Sequence, residues 1–119
     1  MEIYQEFSFD AAHRFPATQM DSKYQGLHGH SFIARIVIEG KPDPVTGFVV
    51  EFDSIDGACM MLKEALDHHY LNDIDGLAVP SLENIAIWIW NRLKPTFQGL
   101  NCVEVRRDSM RHGCVYRGT

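Results

Sequence analysis

The chain has 119 residues, 45% of them hydrophobic and 23% charged, with a net charge of −5. That is long enough for one domain, 1–119, with a substantial core, and too short for two. The acidic balance argues against a nucleic-acid partner, and no apolar run approaches the ~20 residues of a membrane span.

The first strand is expected over roughly 2–9, which leaves no room for a signal peptide ahead of it. The segment Arg14 to Gly26, of mixed polarity and carrying Pro16, reads as a loop. A second strand is expected over 29–40, followed by the turn-rich Lys41-Pro42-Asp43-Pro44-Val45-Thr46-Gly47 and a returning strand from Phe48 to Phe52 that makes a hairpin. Asp53 or Ser54 is the expected cap of a helix whose apolar stripe is Ile55, Ala58, Cys59, Leu62, Ala65 and Leu66. A long connection, Asp67 to Pro80, leads to a second helix, capped by Ser81 with Glu83 in its first turn and striped by Leu82, Ile85, Ala86, Ile89 and Leu93. Pro95 lies just past its end, and two short strands, 102–107 and 113–117, close the chain around a turn near Arg111-His112-Gly113. Strands with two consecutive helices between them predict an α+β fold, an antiparallel sheet with both helices on one face. So small a sheet exposes two edges, which favours a homo-oligomer.

Three cysteines, Cys59, Cys102 and Cys114, form no framework of close pairs. A reduced, cytoplasmic protein is the simplest expectation, with Cys59 a core thiol on its helical stripe.

Three histidines fall in phase with apolar strand faces. Alternation puts Ile3, Phe7, Phe9, Ala11 and His13 on one face of the first strand, and His28, His30, Phe32, Ala34, Ile36 and Ile38 on one face of the second. Both stripes are apolar and become imidazole at one end. Any one of these histidines alone reads best as a hydrogen-bonded core residue. Three together, in phase on neighbouring strands, read better as a catalytic Zn2+ site with an open fourth position. Gly29 fits between His28 and His30 because it removes a side chain from the opposite face. Asp67-His68-His69-Tyr70 is a second candidate, since an aspartate beside a histidine orients the imidazole as an acid or base; a polar helix end is the plainer reading. Arg106, Arg107, Arg111 and Arg117 attract anions or simply solvate a strand edge.

Together, Phe7-Ser8-Phe9-Asp10-Ala11-Ala12-His13-Arg14, Leu27-His28-Gly29-His30-Ser31-Phe32, Asp43 to Phe48, Leu66-Asp67-His68-His69-Tyr70-Leu71-Asn72-Asp73, Pro80-Ser81-Leu82-Glu83-Asn84 and Gly113-Cys114-Val115-Tyr116-Arg117-Gly118 resemble the 6-pyruvoyltetrahydropterin synthase family, in particular its 6-carboxytetrahydropterin synthase branch. The resemblance runs from Phe7 to Gly118. It implies the tunnelling fold, assembled into trimers that stack as hexamers; zinc on His13, His28 and His30; a catalytic relay of Asp67 and His68; and a pterin pocket between subunits with Ser81 and Glu83 near the ring. The activity implied is a lyase reaction on 7,8-dihydroneopterin triphosphate, on the route to 7-deazaguanine nucleosides such as queuosine.

Two positions depart from that pattern. Where the branch has a cysteine four residues before His-Gly-His, this chain has Tyr24, a weaker base at neutral pH, since thiols titrate near ~8.5 and phenols near ~10. Where the family places a glutamate that holds the pterin's edge, Val103-Glu104-Val105-Arg106-Arg107-Asp108-Ser109 offers Arg107 by one alignment and Asp108 by the other. A divergent paralogue that cleaves or epimerises a different pterin side chain, and a zinc- and pterin-binding protein without turnover, are the competing readings.

Overall fold

A computed structural model describes residues 1–15 and 25–119, and the elements named among these described residues are a four-stranded antiparallel sheet and two α-helices. The strands are β1 (Glu2–His13), β2 (His28–Glu39), β3 (Leu100–Arg107) and β4 (His112–Tyr116), in the order β1-β2-β3-β4, and the helices are α1 (Phe52–Leu66) and α2 (Leu82–Leu93).

The alternation read from the sequence is the register observed. Ile3 pairs with Ile38, Phe7 with Ala34, Phe9 with Phe32, Ala11 with His30 and His13 with His28. These pairs face the core, where Phe9 and Phe32 stack at 4.9 Å between ring centroids. β3 adds Val103 and Val105 to the same face, both fully buried. α1 contributes Ile55, Cys59, Leu62 and Leu66, and α2 contributes Leu82, Ile85, Ala86, Trp88, Ile89 and Leu93. Burial pushes the Cys59 thiol up to about 11, as befits an inert core cysteine.

Several boundaries differ from those expected. β1 runs on to His13, because Asp10 and Ala12 find partners on their outer side: the backbone N–H of Ala12 donates to the His69 carbonyl and that of His68 to the Asp10 carbonyl. The returning strand at 48–52 is absent, and so is its hairpin. Asp43 instead accepts the backbone N–H groups of Val45 and Thr46, and Val49 and Val50 pack on the core without joining a ladder. The sheet position beside β2 goes to β3. α1 starts after Glu51 with no side-chain cap, so neither Asp53 nor Ser54 caps it, and Ala65 is exposed rather than in the stripe. β3 begins at Leu100, and the closing turn is the 3-10 turn Asp108–Met110, with Arg111 left-handed after it. Gly113 has no room for a side chain: a Cβ there would lie 2.6 Å from that of Arg106.

The Ser81 cap is as expected, its hydroxyl accepting the Asn84 N–H at 3.1 Å. Among the described residues no helix is long and apolar enough to cross a membrane.

Candidate active site

The imidazoles of His13, His28 and His30 form a triangle at the end of the core face. Their ring centroids are 4.5 Å (His13–His28), 5.0 Å (His28–His30) and 5.1 Å (His13–His30) apart, and one potential ligand atom from each lies within 4.8 Å of the others. Phe32 supports the triangle edge-on, 5.7 Å from both His13 and His30. Outer hydrogen bonds set the ring orientations. His13 Nδ1 donates to the Pro80 carbonyl at 3.0 Å, and His28 Nδ1 to the Gly26 carbonyl at 2.8 Å. A metal-binding imidazole has this form, one nitrogen fixed by a carbonyl and the other carrying its lone pair inward.

His13 decides whether a cation fits. It is completely buried, and its Nε2 has no hydrogen-bond partner. A polar atom in that position costs stability unless something occupies its lone pair. Burial also holds His13 and His30 down at about 4, so both are neutral near pH 7. Three imidazoles are a borderline-soft donor set suited to zinc-like divalent cations. Gly29 lies close against β1, where a Cβ would sit 3.3 Å from the Ala11 carbonyl oxygen.

Asp67 and His68 stand beyond the outer edge of the same end of β1. The Asp67 carboxylate accepts the Asp10 backbone N–H with one oxygen and His68 Nδ1–H with the other, each at 2.8 Å. Those two donors, the backbone one foremost, hold its carboxyl below the usual range. The Nδ1 bond leaves His68 Nε2 as the ring nitrogen turned away from Asp67. His68 takes a left-handed conformation, φ 57°, which is uncommon for a residue with a side chain, and its side chain is 80% exposed. A cleft of about 580 Å3 runs past Asp10, His30, Ser31, His68 and Tyr70 and so touches both groups.

The other candidates are spread more widely. Ser81 follows Pro80, whose carbonyl holds His13, so the start of α2 is tied to the triad; Glu83 is exposed one turn on. Asp108 turns to the outer face of the sheet, where Arg106 Nε donates to it at 2.8 Å. Arg107 is the residue in phase with Val103 and Val105, and its Nη1 donates to His30 Nε2 at 3.3 Å. Tyr24 lies outside the described residues. Sequence reasoning did not place Arg107 at the triad, although alternation from Val103 and Val105 carried the signal.

A sequence model of the family described as 6-pyruvoyl tetrahydropterin synthase matches residues 2–119. The chain belongs to this family. It is 40% identical to the 6-carboxy-5,6,7,8-tetrahydropterin synthase of Synechocystis sp., over 87% of this chain and 83% of that protein. It is 35% identical to the dihydroneopterin monophosphate aldolase of Pyrococcus furiosus, over 89% and 84%. The 6-pyruvoyl tetrahydropterin synthase structure from Caenorhabditis elegans superposes with a TM-score of 0.87 at 21% identity, covering 100% of this chain and 96% of that one, and shows the same α+β fold. The synthases and the aldolase among these relatives are lyases.

Proposed function

We propose that the chain is a zinc-dependent lyase that acts on the side chain of 7,8-dihydroneopterin triphosphate or a related dihydropterin. The observation that carries this reading is the buried, partnerless Nε2 of His13 beside the imidazoles of His28 and His30. Zinc held there supplies Lewis-acid polarisation of the substrate's side-chain oxygens and acidifies the neighbouring C–H. His68 Nε2 then takes or returns the proton, while Asp67 holds the ring in the required tautomer and stabilises the imidazolium. Tyr24 is the second proton-carrying candidate, in the place of the branch's cysteine. Ser81, Glu83 and Asp108 are the proposed pterin contacts.

The triad faces the core side of the sheet and His68 hangs off the β1 edge. Assembly of copies along the edge strands β1 and β4, as a trimer or a pair of trimers, would enclose His68 and close the pocket between subunits. The three free cysteines support a reducing, cytoplasmic setting.

A second reading is favoured by the aldolase relative: cleavage of the side-chain carbon–carbon bond without loss of phosphate. Mass spectrometry of the products from dihydroneopterin triphosphate and from its monophosphate separates the two. Release of triphosphate with 6-carboxy- or 6-pyruvoyltetrahydropterin supports the first, and a phosphorylated two-carbon aldehyde with 6-hydroxymethyldihydropterin the second. Failure to convert any dihydropterin refutes both.

A further inference from the structure

His13 is tied to the connection after α1 on both sides along its backbone as well as through its ring. Just before it, the N–H of Ala12 donates to the His69 carbonyl at 3.1 Å, and Ala12 and Tyr70 form a parallel bridge. Just after it, a side chain takes over. The N–H of Arg14 donates to Asn72 Oδ1 at 3.0 Å, and Asn72 Nδ2 donates to the Arg14 carbonyl at 2.9 Å. Arg14 and Asn72 lie two residues beyond Ala12 and Tyr70, so the amide continues the same pairing past the end of β1.

The same amide reaches the support of the ring. Asn72 Nδ2 also donates to the Ala78 carbonyl at 3.4 Å, two residues before the Pro80 carbonyl that accepts His13 Nδ1. The Val79 carbonyl between them accepts from Asn84 Nδ2 at 2.8 Å and from the Ser81 N–H at 3.0 Å. An asparagine offers an acceptor oxygen and two amide hydrogens, and Asn72 directs all of them to these two stretches. Leu71 beside it is fully buried and anchors the 3-10 turn Leu71–Asp73 that carries the amide. Asn72 therefore joins the backbone that bears His13 to the backbone that orients its imidazole. Asn84, by contrast, holds the Pro80 side alone. An outer acceptor orients a metal-binding imidazole only if its own place relative to the ring is fixed.

We propose that Asn72 is a positioning residue of the metal site, which sets the place of His13 and with it the affinity for the cation. The assignment rests on the metal reading above, and its test tells the failure of one from the failure of the other.

The test compares wild type with Asn72→Ala and Asn72→Asp, all prepared metal-free. Zinc dissociation constants are measured by chelator competition at a temperature where each protein is folded, and Tm is recorded alongside. Exchange of the His13 Nδ1–H is followed by NMR in the absence of metal, with the backbone amides of Val103 and Val105 as the core reference. In Asn72→Ala zinc affinity falls about 10- to 100-fold, the cost of losing an outer partner of a metal ligand. Asn72→Asp keeps an acceptor for the Arg14 N–H but sets carboxylate oxygen against two carbonyls, so it loses at least as much. In both variants the His13 Nδ1–H exchanges at least about tenfold faster relative to the core amides, the mark of a local loosening. Should either variant fail to fold, Asn72→Ser, which keeps a hydroxyl for Arg14, takes its place. Zinc affinity within about twofold of wild type, with a lowered Tm, makes Asn72 a structural residue only and overturns the proposal. If the wild type takes up no zinc, the metal reading fails, and the relative exchange of the His13 Nδ1–H alone decides whether Asn72 positions the ring.

Discussion

His13 and His28 are register partners across β1 and β2, and their ring centroids lie 4.5 Å apart. Directly opposed residues on one face of an antiparallel pair are the closest side-chain neighbours a sheet offers. His30, two residues on from His28 on the same face and opposite Ala11, completes the triangle because Ala11 is too small to fill the space. Backbone pairing therefore assembles the site before any ligand is present.

Binding of a cation to the folded state alone must raise thermal stability. At about 100 times its dissociation constant, zinc contributes ~2.7 kcal/mol, which corresponds to a rise on the order of 10 °C in Tm for a domain of this size. A chelator reverses the rise. His28→Ala weakens zinc binding by at least about 100-fold, more than loss of an outer-shell partner costs. Calorimetry with and without zinc, together with elemental analysis, checks both.

Acid destabilises the metal-free protein through His13 and His30. Both are held at about 4 in the fold, below the ordinary value of 6.5. The unfolded chain therefore gains protons as pH falls through 6.5, while the folded chain resists until about 4. Their contribution is complete above the upper value and declines down to the lower one. Tm measured against pH should fall across this window in metal-free wild type and fall less in His13→Gln.

Asp67→Asn separates orientation from folding. The amide oxygen can still accept the Asp10 N–H, but the NH2 group cannot accept from His68 Nδ1, so the ring loses its fixed tautomer. Turnover drops by ~10²–10⁴-fold, the range for a displaced general acid–base and its orienter, while Tm changes little. Because the Asp10 N–H and His68 hold the Asp67 carboxyl below its usual range, the carboxylate that orients His68 persists to more acid pH than a free aspartate would.

The left-handed backbone at His68 makes a distinct prediction. His68→Gly removes a conformation that costs an L-residue about 1 kcal/mol or more, so Tm holds or rises while turnover falls at least about 100-fold. His68→Val lowers both. Equal destabilisation by glycine and valine would show that φ 57° is not the native conformation.

Ser81 carries a structural duty whatever its role toward substrate. Ser81→Ala costs about 1 kcal/mol through the lost cap, and Ser81→Thr restores it. A rise in KM that threonine also repairs, at unchanged Tm, marks a hydroxyl that touches the substrate as well.

The triad was legible because two independent alternations, Ile3 to His13 and His28 to Ile38, both turn from apolar to imidazole at one end. Ser81 was legible as a local cap. Long-range partnerships hid the rest. Asp10-Ala11-Ala12 has no strong strand preference and extends β1 because Asp67 to Tyr70 bonds to its outer side. Phe48 to Phe52 has strand-like composition but loses its place beside β2 to a segment about 50 residues away, a competition that local propensity does not register. The opposite directions of Arg106 and Arg107 follow from strand phase, which became certain only once the β2–β3 register was known.

The most direct test is anaerobic turnover of 7,8-dihydroneopterin triphosphate and monophosphate by zinc-loaded and zinc-stripped protein, with products identified by mass spectrometry. The account predicts side-chain elimination or cleavage with zinc, none after stripping, and recovery on re-addition. A protein that holds zinc on His13, His28 and His30 yet leaves every dihydropterin unchanged would contradict it.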